Sequence, residues 1–290
     1  MSILTPTELK SLCAKYHLNP SKQYGQNYLI SDAPIKKMIE AAELSLDDIV
    51  VEIGPGFGIL TFSLAPLVKK VFAFEIEKKL MPFWKEKQKE FPNVEIIWGN
   101  ALDRIMNYEL GIMKYKVIAN LPYQITSHLL RTLLEMENKP ERIIIMVQKE
   151  VAERICAKPR SAGSRQTGTM SMLAVSVQYY GEPKIITKVL KGNFWPSPQV
   201  DSTVLCIKTF KHPNIQTFND EEFFRVVKAG FTNKRKQLWH NLSSHLGLEK
   251  EAVKNIVKEA TGNEKIRAED LSVEDWEKVV EKIVKKATPL

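Results

Sequence analysis

The most constraining feature of the chain is a short apolar run, Ile49-Val50-Val51-Glu52-Ile53, that stops abruptly in Gly54-Pro55-Gly56-Phe57-Gly58. A run this short, ended by glycines, reads as a buried strand feeding a tight turn. Four more strands are expected over 71–75, 94–98, 116–119 and 142–148, with helices over 58–67, 77–89 and 126–136. The uninterrupted Ile143-Ile144-Ile145-Met146-Val147 inside the last of these implies burial on both faces. Strands alternating with helices predict an α/β fold with a parallel, doubly wound sheet, whose ligand sits at the carboxyl ends of the strands. Upstream, helices are expected over 5–17 and 32–43, the latter with Asp32 as N-cap and Pro34 in its first turn, with a polar, aromatic loop over 24–30 between them. After Gly168 the pattern changes. Segments 169–180, 184–189 and 203–210 read as strands, the first partly as helix, and Phe194-Trp195-Pro196-Ser197-Pro198 forms a loop. From 219 onward the pattern is all-helical, over 220–230, 234–246, 250–259 and 273–286. Residues 212–217 read as a linker, dividing the chain into 1–211, with an N-terminal extension over 1–23, and a small helical domain over 212–290.

With 290 residues, 44% hydrophobic and 26% charged, the chain has the profile of a soluble globular protein. No apolar stretch approaches the ~18 residues of a membrane span. No secretory leader is visible, so a cytoplasmic, membrane-free protein is expected. Cys13, Cys156 and Cys206 are far apart and the five histidines form no ligand pair, so neither a metal nor a disulfide framework is expected. The net charge of +8 favours a polyanionic partner. Its distribution is more telling: residues 139–191 hold ten Lys/Arg against four Glu, and Lys234-Arg235-Lys236 forms a second cluster. One such cluster alone would be read as a solvated face. Two clusters flanking a candidate site point to nucleic acid, with Arg154, Lys158, Arg160, Arg165, Lys234, Arg235 and Lys236 as candidate RNA contacts.

Three strand ends make a cofactor pattern. The first carries Glu52 with Gly54 and Gly56, in a spacing that is not the dinucleotide GxGxxG. The second ends at Glu75-Ile76, where an acidic side chain can accept from both hydroxyls of a ribose. The third ends in Gly99-Asn100-Ala101, where a polar side chain can read an adenine ring. This combination suits a nucleoside without a pyrophosphate, and S-adenosylmethionine fits, with Glu52 placed for a cationic ligand. A lone glycine turn or a lone terminal Glu would be ordinary packing or surface; the three ends together carry the inference.

The fourth strand ends in Asn120-Leu121-Pro122-Tyr123. Methylating an exocyclic adenine nitrogen requires two acceptors that hold the NH2 in line with the methyl donor. The Asn120 amide oxygen and the Leu121 carbonyl supply them, Pro122 stiffens the turn, and Tyr123 offers a face for an extruded base. In isolation the tetrapeptide would be a turn like any other; its place at the fourth strand end makes it a candidate site.

These residues, together with Gln26-Asn27-Tyr28-Leu29, Gln148-Lys149-Glu150-Val151, Phe194 through Ser202, GFTNKRKQLWHNL and IRAEDLSVEDW, resemble the ribosomal RNA small-subunit adenine N6,N6-dimethyltransferase family from about Tyr24 to the C-terminus. The resemblance implies a Rossmann-like class I methyltransferase domain, with the helical domain docking the ribosome. It implies that Gln26, Asn27 and Leu29 enclose the cofactor's methionine end. Gly54 would line the cofactor, Glu75 hold its ribose and Asn100 face its adenine. Asn120, Leu121 and Tyr123 would grip the target adenine, with Phe194 as a second aromatic wall. The implied activity dimethylates two adjacent adenines near the 3′ end of small-subunit rRNA during ribosome biogenesis, by a monomer acting on the assembling subunit. Two departures stand out: the family usually has Asp at position 100, and a Tyr where this chain has Thr167. Three rival readings remain. One is a large-subunit rRNA methyltransferase of the erythromycin-resistance type, disfavoured by Val200-Asp201-Ser202 and the IRAEDLSVEDW tail. Another is a non-catalytic RNA-binding or transcription-factor relative, disfavoured by the intact tetrapeptide. The third is an adenine DNA methyltransferase, disfavoured by the lack of a separate target-recognition domain and by Leu121 where those enzymes commonly carry Pro.

Overall fold

The structure, a computed structural model, describes residues 3–20, 27–105, 114–159, 169–210 and 218–287. The chain divides into two compact units, 1–152 with 181–210, and 153–180 with 211–290. Relative to the expected split at 211, residues 153–180 therefore leave the sheet-bearing part. The contacts explain why. Tyr179 stacks on Phe223 at 4.0 Å between centroids, the Tyr179 and Tyr180 hydroxyls both donate to the Asp220 carboxylate, and the Met170 N–H donates to Glu269 O. The expected linker over 212–217 lies outside the described residues.

The first unit is built on strands β2 (Ile49–Ile53), β3 (Lys70–Glu75), β4 (Val94–Trp98), β5 (Lys116–Asn120), β6 (Arg142–Gln148), β7 (Gly181–Val189) and β9 (Ser202–Thr209). Their order is β4-β3-β2-β5-β6-β9-β7. The first five are parallel, as expected, whereas β9 and β7 are added antiparallel, so the sheet is mixed. Strand order reverses between β2 and β5, and a doubly wound sheet opens a crevice at such a point. Ile143 to Val147 in β6 are fully buried, as the unbroken apolar run required. A second sheet of two strands pairs β1 (Tyr28–Leu29) with β8 (Phe194–Trp195) and places Leu29 opposite Phe194.

The helices of this unit are α1 (Pro6–Lys15), α2 (Ala33–Ala42), α3 (Ile59–Leu64), α4 (Met81–Lys87), α5 (Ala101–Ile105), α6 (Thr126–Glu135) and α7 (Lys149–Ile155), the last running across the unit boundary. Prolines shape two of them: the segment after α3 tightens to a 3-10 turn at Ala65–Leu67, which contains Pro66, and α4 starts with Pro82 in its first turn, after a 3-10 turn at Lys78–Leu80. Asp32 occupies the N-cap position of α2 without capping it, because its carboxylate pairs with Lys36. The α1 helix buries Leu9 and Cys13 in the same core as the sheet.

The second unit holds α8 (Met172–Tyr180), α9 (Asp220–Gly230), α10 (Leu238–Leu246), α11 (Lys250–Thr261) and α12 (Val273–Ala287). The α8 segment is helical throughout rather than partly strand; with Ala174, Val175, Val177, Tyr179 and Tyr180 all buried, its apolar residues show no helical period. The α10 helix begins four residues later than expected, because Asn233 folds the preceding segment into a turn, accepting from Arg235 N through its side chain and from Lys236 N through its carbonyl. Among the described residues, no helix is long and apolar enough to cross a membrane.

Candidate active site

A cavity of about 230 Å³ opens at the carboxyl ends of β2, β3, β4 and β5. Its floor is the turn after β2. Gly54 has φ +72°, a conformation that L side chains rarely adopt, and a methyl added there would meet nothing within 4 Å. Gly58 has φ +76°, and a methyl there would lie 2.3 Å from the Phe62 ring, so this turn is written for glycine twice over. The turn is held from below: the Trp84 indole donates to Gly56 O at 3.0 Å, and the Phe57 ring packs against Tyr28 and Phe83 at 5.2 and 5.5 Å.

Two acidic residues line the cavity. Glu75 is 5% exposed, and its carboxylate accepts from Gly56 N at 3.0 Å and Glu77 N at 2.8 Å. Those bonds orient it and leave acceptor capacity on the carboxylate for hydroxyls. Burial pushes its pKa upward. Glu52 is 2% exposed, and among the described residues its Oε2 meets no donor in good hydrogen-bond geometry. Burial, only partly offset by the nearby Thr61 hydroxyl and reinforced by the Glu75 charge, pushes the Glu52 carboxyl up to about 8. A buried acid with an unmet oxygen favours a cationic ligand, which would restore its charged form.

Ten of the eleven expected cofactor residues line this one cavity: Asn27, Leu29, Glu52, Gly54, Gly56, Glu75, Ile76, Asn100, Ala101 and Asn120. Gln26 lies outside the described residues. The sequence reading assigned no cofactor role to Tyr28, Gln124 and Ile125, which also line the cavity; Tyr28 lies inside a quoted motif and the other two follow one, and their side chains gave no separate signal. The residues present fit S-adenosylmethionine: a glycine cradle, an oriented carboxylate and an unmet buried acid match an uncharged backbone approach, ribose hydroxyls and a cationic amino-acid end.

The tetrapeptide sits at the rim. The Asn120 Nδ2 donates to Asn27 O at 3.1 Å, which fixes the amide and turns its oxygen the other way. The Pro122 carbonyl is engaged by Ile125 N at 3.3 Å, so the Leu121 carbonyl is the main-chain acceptor left for a substrate, while the Leu121 side chain is buried. The Tyr123 hydroxyl lies 2.7 Å from Ser202 Oγ, and burial raises its pKa. Ser202 is thus a positioning partner that the FWPSPQVDS motif contained without disclosing its role. Asn120 and Pro122 line the cavity, whereas Leu121, Tyr123 and Phe194 are not part of its lining. Phe194 is only 3% exposed, packed in the core beside Leu29.

Of the expected RNA contacts, Arg154, Lys158, Lys234, Arg235 and Lys236 are exposed and all belong to the second unit. Arg160 and Arg165 lie outside the described residues.

Residues 17–285 match the family model described as ribosomal RNA adenine dimethylase. A protein of Dehalococcoides mccartyi strain 195 named ribosomal RNA small subunit methyltransferase A is 38% identical over 93% of this chain and 90% of its own length. A protein of the same name from Clostridium botulinum strain Okra is 38% identical over 93% of this chain and 96% of its own. Among solved structures, a dimethyladenosine transferase from Plasmodium falciparum superposes with a TM-score of 0.73 at 25% identity, covering 89% of this chain and 98% of that one. The 23S rRNA methyltransferase ErmE shares the fold, with a TM-score of 0.69 at 24% identity, covering 88% and 99%.

Proposed function

The chain belongs to the ribosomal RNA adenine dimethylase family, and from that premise we propose that it transfers methyl groups from S-adenosylmethionine to N6 of two adjacent adenines near the 3′ end of small-subunit rRNA. One observation carries the reading: Asn120, at the rim of a cavity built for a cationic nucleoside, is locked by Asn27 with its amide oxygen free to accept. Bound in that cavity, the cofactor supplies an activated methyl, so the protein needs neither a metal nor a strong base.

The chain's own residues do the rest. The turn at Gly54 and Gly56 lets the main chain approach the cofactor closely. Glu75 holds the ribose hydroxyls, and Glu52 meets the cationic end. Asn27 and Leu29 enclose the same end, and Ile76, Asn100 and Ala101 border the base. Asn120 Oδ1 and the Leu121 carbonyl accept the two N–H bonds of the target amine. Drawing both hydrogens out of the ring plane localises the nitrogen lone pair and aims it at the methyl carbon. As the nitrogen–methyl bond forms and the sulfur–methyl bond breaks, the positive charge passes from sulfur to the nitrogen, which then sheds a proton to solvent. Pro122 keeps the two acceptors fixed, and Tyr123, pinned by Ser202, gives the base a stacking face. Phe194 stacks on the base only where its entry uncovers the ring.

The substrate is the assembling small subunit, met in the cytoplasm by a monomer. Arg154, Lys158, Arg160, Arg165 and Lys234–Lys236 contact its phosphates. The small-subunit name of the 38%-identical relatives favours this reading over large-subunit methylation. Separately purified, unmethylated small and large subunits, each incubated with the protein and labelled S-adenosylmethionine, test it. Label is expected in small-subunit RNA; label confined to the large subunit overturns the assignment.

A further inference from the structure

We infer that Asp201 is a positioning residue for methyl transfer: its carboxylate closes the neck of the loop between β7 and β9, and so sets Ser202, which pins the Tyr123 ring. This rests on the methyl-transfer reading above and adds a residue to it.

The loop leaves β7 after Val189 and returns at Ser202, and those two residues pair across its neck. Two further ties at the neck end on Asp201. Its Oδ1 accepts from Lys191 N at 3.0 Å, and its Oδ2 lies 3.2 Å from Lys188 Nζ. Its main-chain carbonyl accepts from Lys149 N at 3.1 Å, so the residue also joins the neck to the start of α7. The Lys191 N–H, with Lys188 beside it, holds the Asp201 carboxyl below the usual carboxylate range, so it is an ionised acceptor at neutral pH. The two ties are unequal. The Lys188 and Asp201 side chains are 52% and 27% exposed, and an ion pair so open to water contributes little, whereas the bond to the Lys191 main chain fixes backbone to backbone. The far part of the loop is anchored elsewhere: β8 pairs with β1, and Ile30 N donates to Asn193 O at 2.9 Å. What Asp201 adds is the neck, and the next residue is Ser202. Ser202 is fully buried, with its Oγ 2.7 Å from the Tyr123 hydroxyl, so a shift of the main chain at 201 is passed to the group that holds Tyr123. A misplacement of about 1 Å at a reacting site can cost roughly 100-fold in rate.

Single-turnover methyl transfer from saturating S-adenosylmethionine to unmethylated small subunits tests this, with calorimetric S-adenosylhomocysteine affinity and urea unfolding measured on the same full-length proteins. Asp201→Ala is expected to slow transfer at least about tenfold while the Kd and the unfolding midpoint stay near native. Asp201→Asn keeps an acceptor for Lys191 N and loses only the charge, so it is expected to retain the rate to within about threefold. In a Ser202→Ala background, where the pin on Tyr123 is already gone, Asp201→Ala is expected to slow transfer by less than about threefold more. A native rate in D201A overturns the inference, as do D201N as slow as D201A and single losses that multiply in full in the double variant. A D201A protein whose midpoint or cofactor affinity falls in step with its rate makes Asp201 a residue of the fold alone and also overturns it. A native chain that transfers no methyl group to these subunits refutes the underlying reading, whereas an active native chain matched by D201A refutes the role of Asp201 alone.

Discussion

Replacing Glu52 by Gln removes a titrating group from the most deeply buried part of the site without changing its shape. In the unfolded chain this carboxyl ionises near 4.5, and in the native protein burial holds it protonated up to about 8. Below 4.5 it is neutral in both states and costs nothing. As pH rises from 4.5 to 8 the unfolded chain releases the proton and the native chain keeps it, so native stability falls across that window and levels off above it. At about 1.36 kcal/mol per pH unit, the full window is worth roughly 5 kcal/mol. The E52Q protein lacks this penalty. Urea unfolding of both proteins at pH 5 and pH 8, followed by fluorescence, reads the difference. The stability advantage of E52Q is expected to grow by about 4 kcal/mol between those two pH values. An advantage that is the same at both means that Glu52 is ionised throughout, and the unmet-acid reading of the cavity then fails.

Asn120→Ala is expected to lower methyl transfer at least about 100-fold while S-adenosylhomocysteine affinity, measured by calorimetry, changes by less than about fivefold. Substantial residual turnover would remove Asn120 from the site. Glu75→Ala deletes the acceptor for Gly56 N and Glu77 N as well as for the ribose, so cofactor affinity should drop more than about tenfold, each stranded N–H costing about 1–3 kcal/mol; an unchanged Kd refutes the ribose role. Reversing Lys234, Arg235 and Lys236 to Glu should weaken small-subunit binding and flatten its log–log salt dependence by about 2–3. An unaltered salt slope makes this exposed turn a solvated face.

The parallel strands were legible because each is a short apolar run closed by polar or glycine residues, and β2, β4 and β6 begin and end where that pattern does. The cofactor cavity was legible for the same reason: strand ends are sequence-local, and their convergence follows from the fold class. Other features depend on contacts that no short window contains. The α8 segment reads as strand and only partly as helix because its buried residues, Ala174, Val175, Val177, Tyr179 and Tyr180, do not fall on one helical face, which erases the helical period. Assignment of 153–180 to the second unit depends on Tyr179 and Tyr180 meeting Asp220, forty or so residues away in the chain. The short α5 and α7 helices follow β4 and β6 too closely for a pattern to announce them, and α5 is fixed by one side-chain cap, Asn100. The Tyr123–Ser202 bond spans 79 residues, so the motif named both partners without pairing them.

The central claim is that two fixed acceptors, Asn120 Oδ1 and the Leu121 carbonyl, present an adenine amine to the bound methyl donor. Nucleoside mass spectrometry of small-subunit rRNA, after reaction of unmodified subunits with the native protein and S-adenosylmethionine, addresses it most directly. The expected product is N6,N6-dimethyladenosine, absent when the N120A protein is used. Methylation at a ring nitrogen, on a ribose or on another base would contradict the claim.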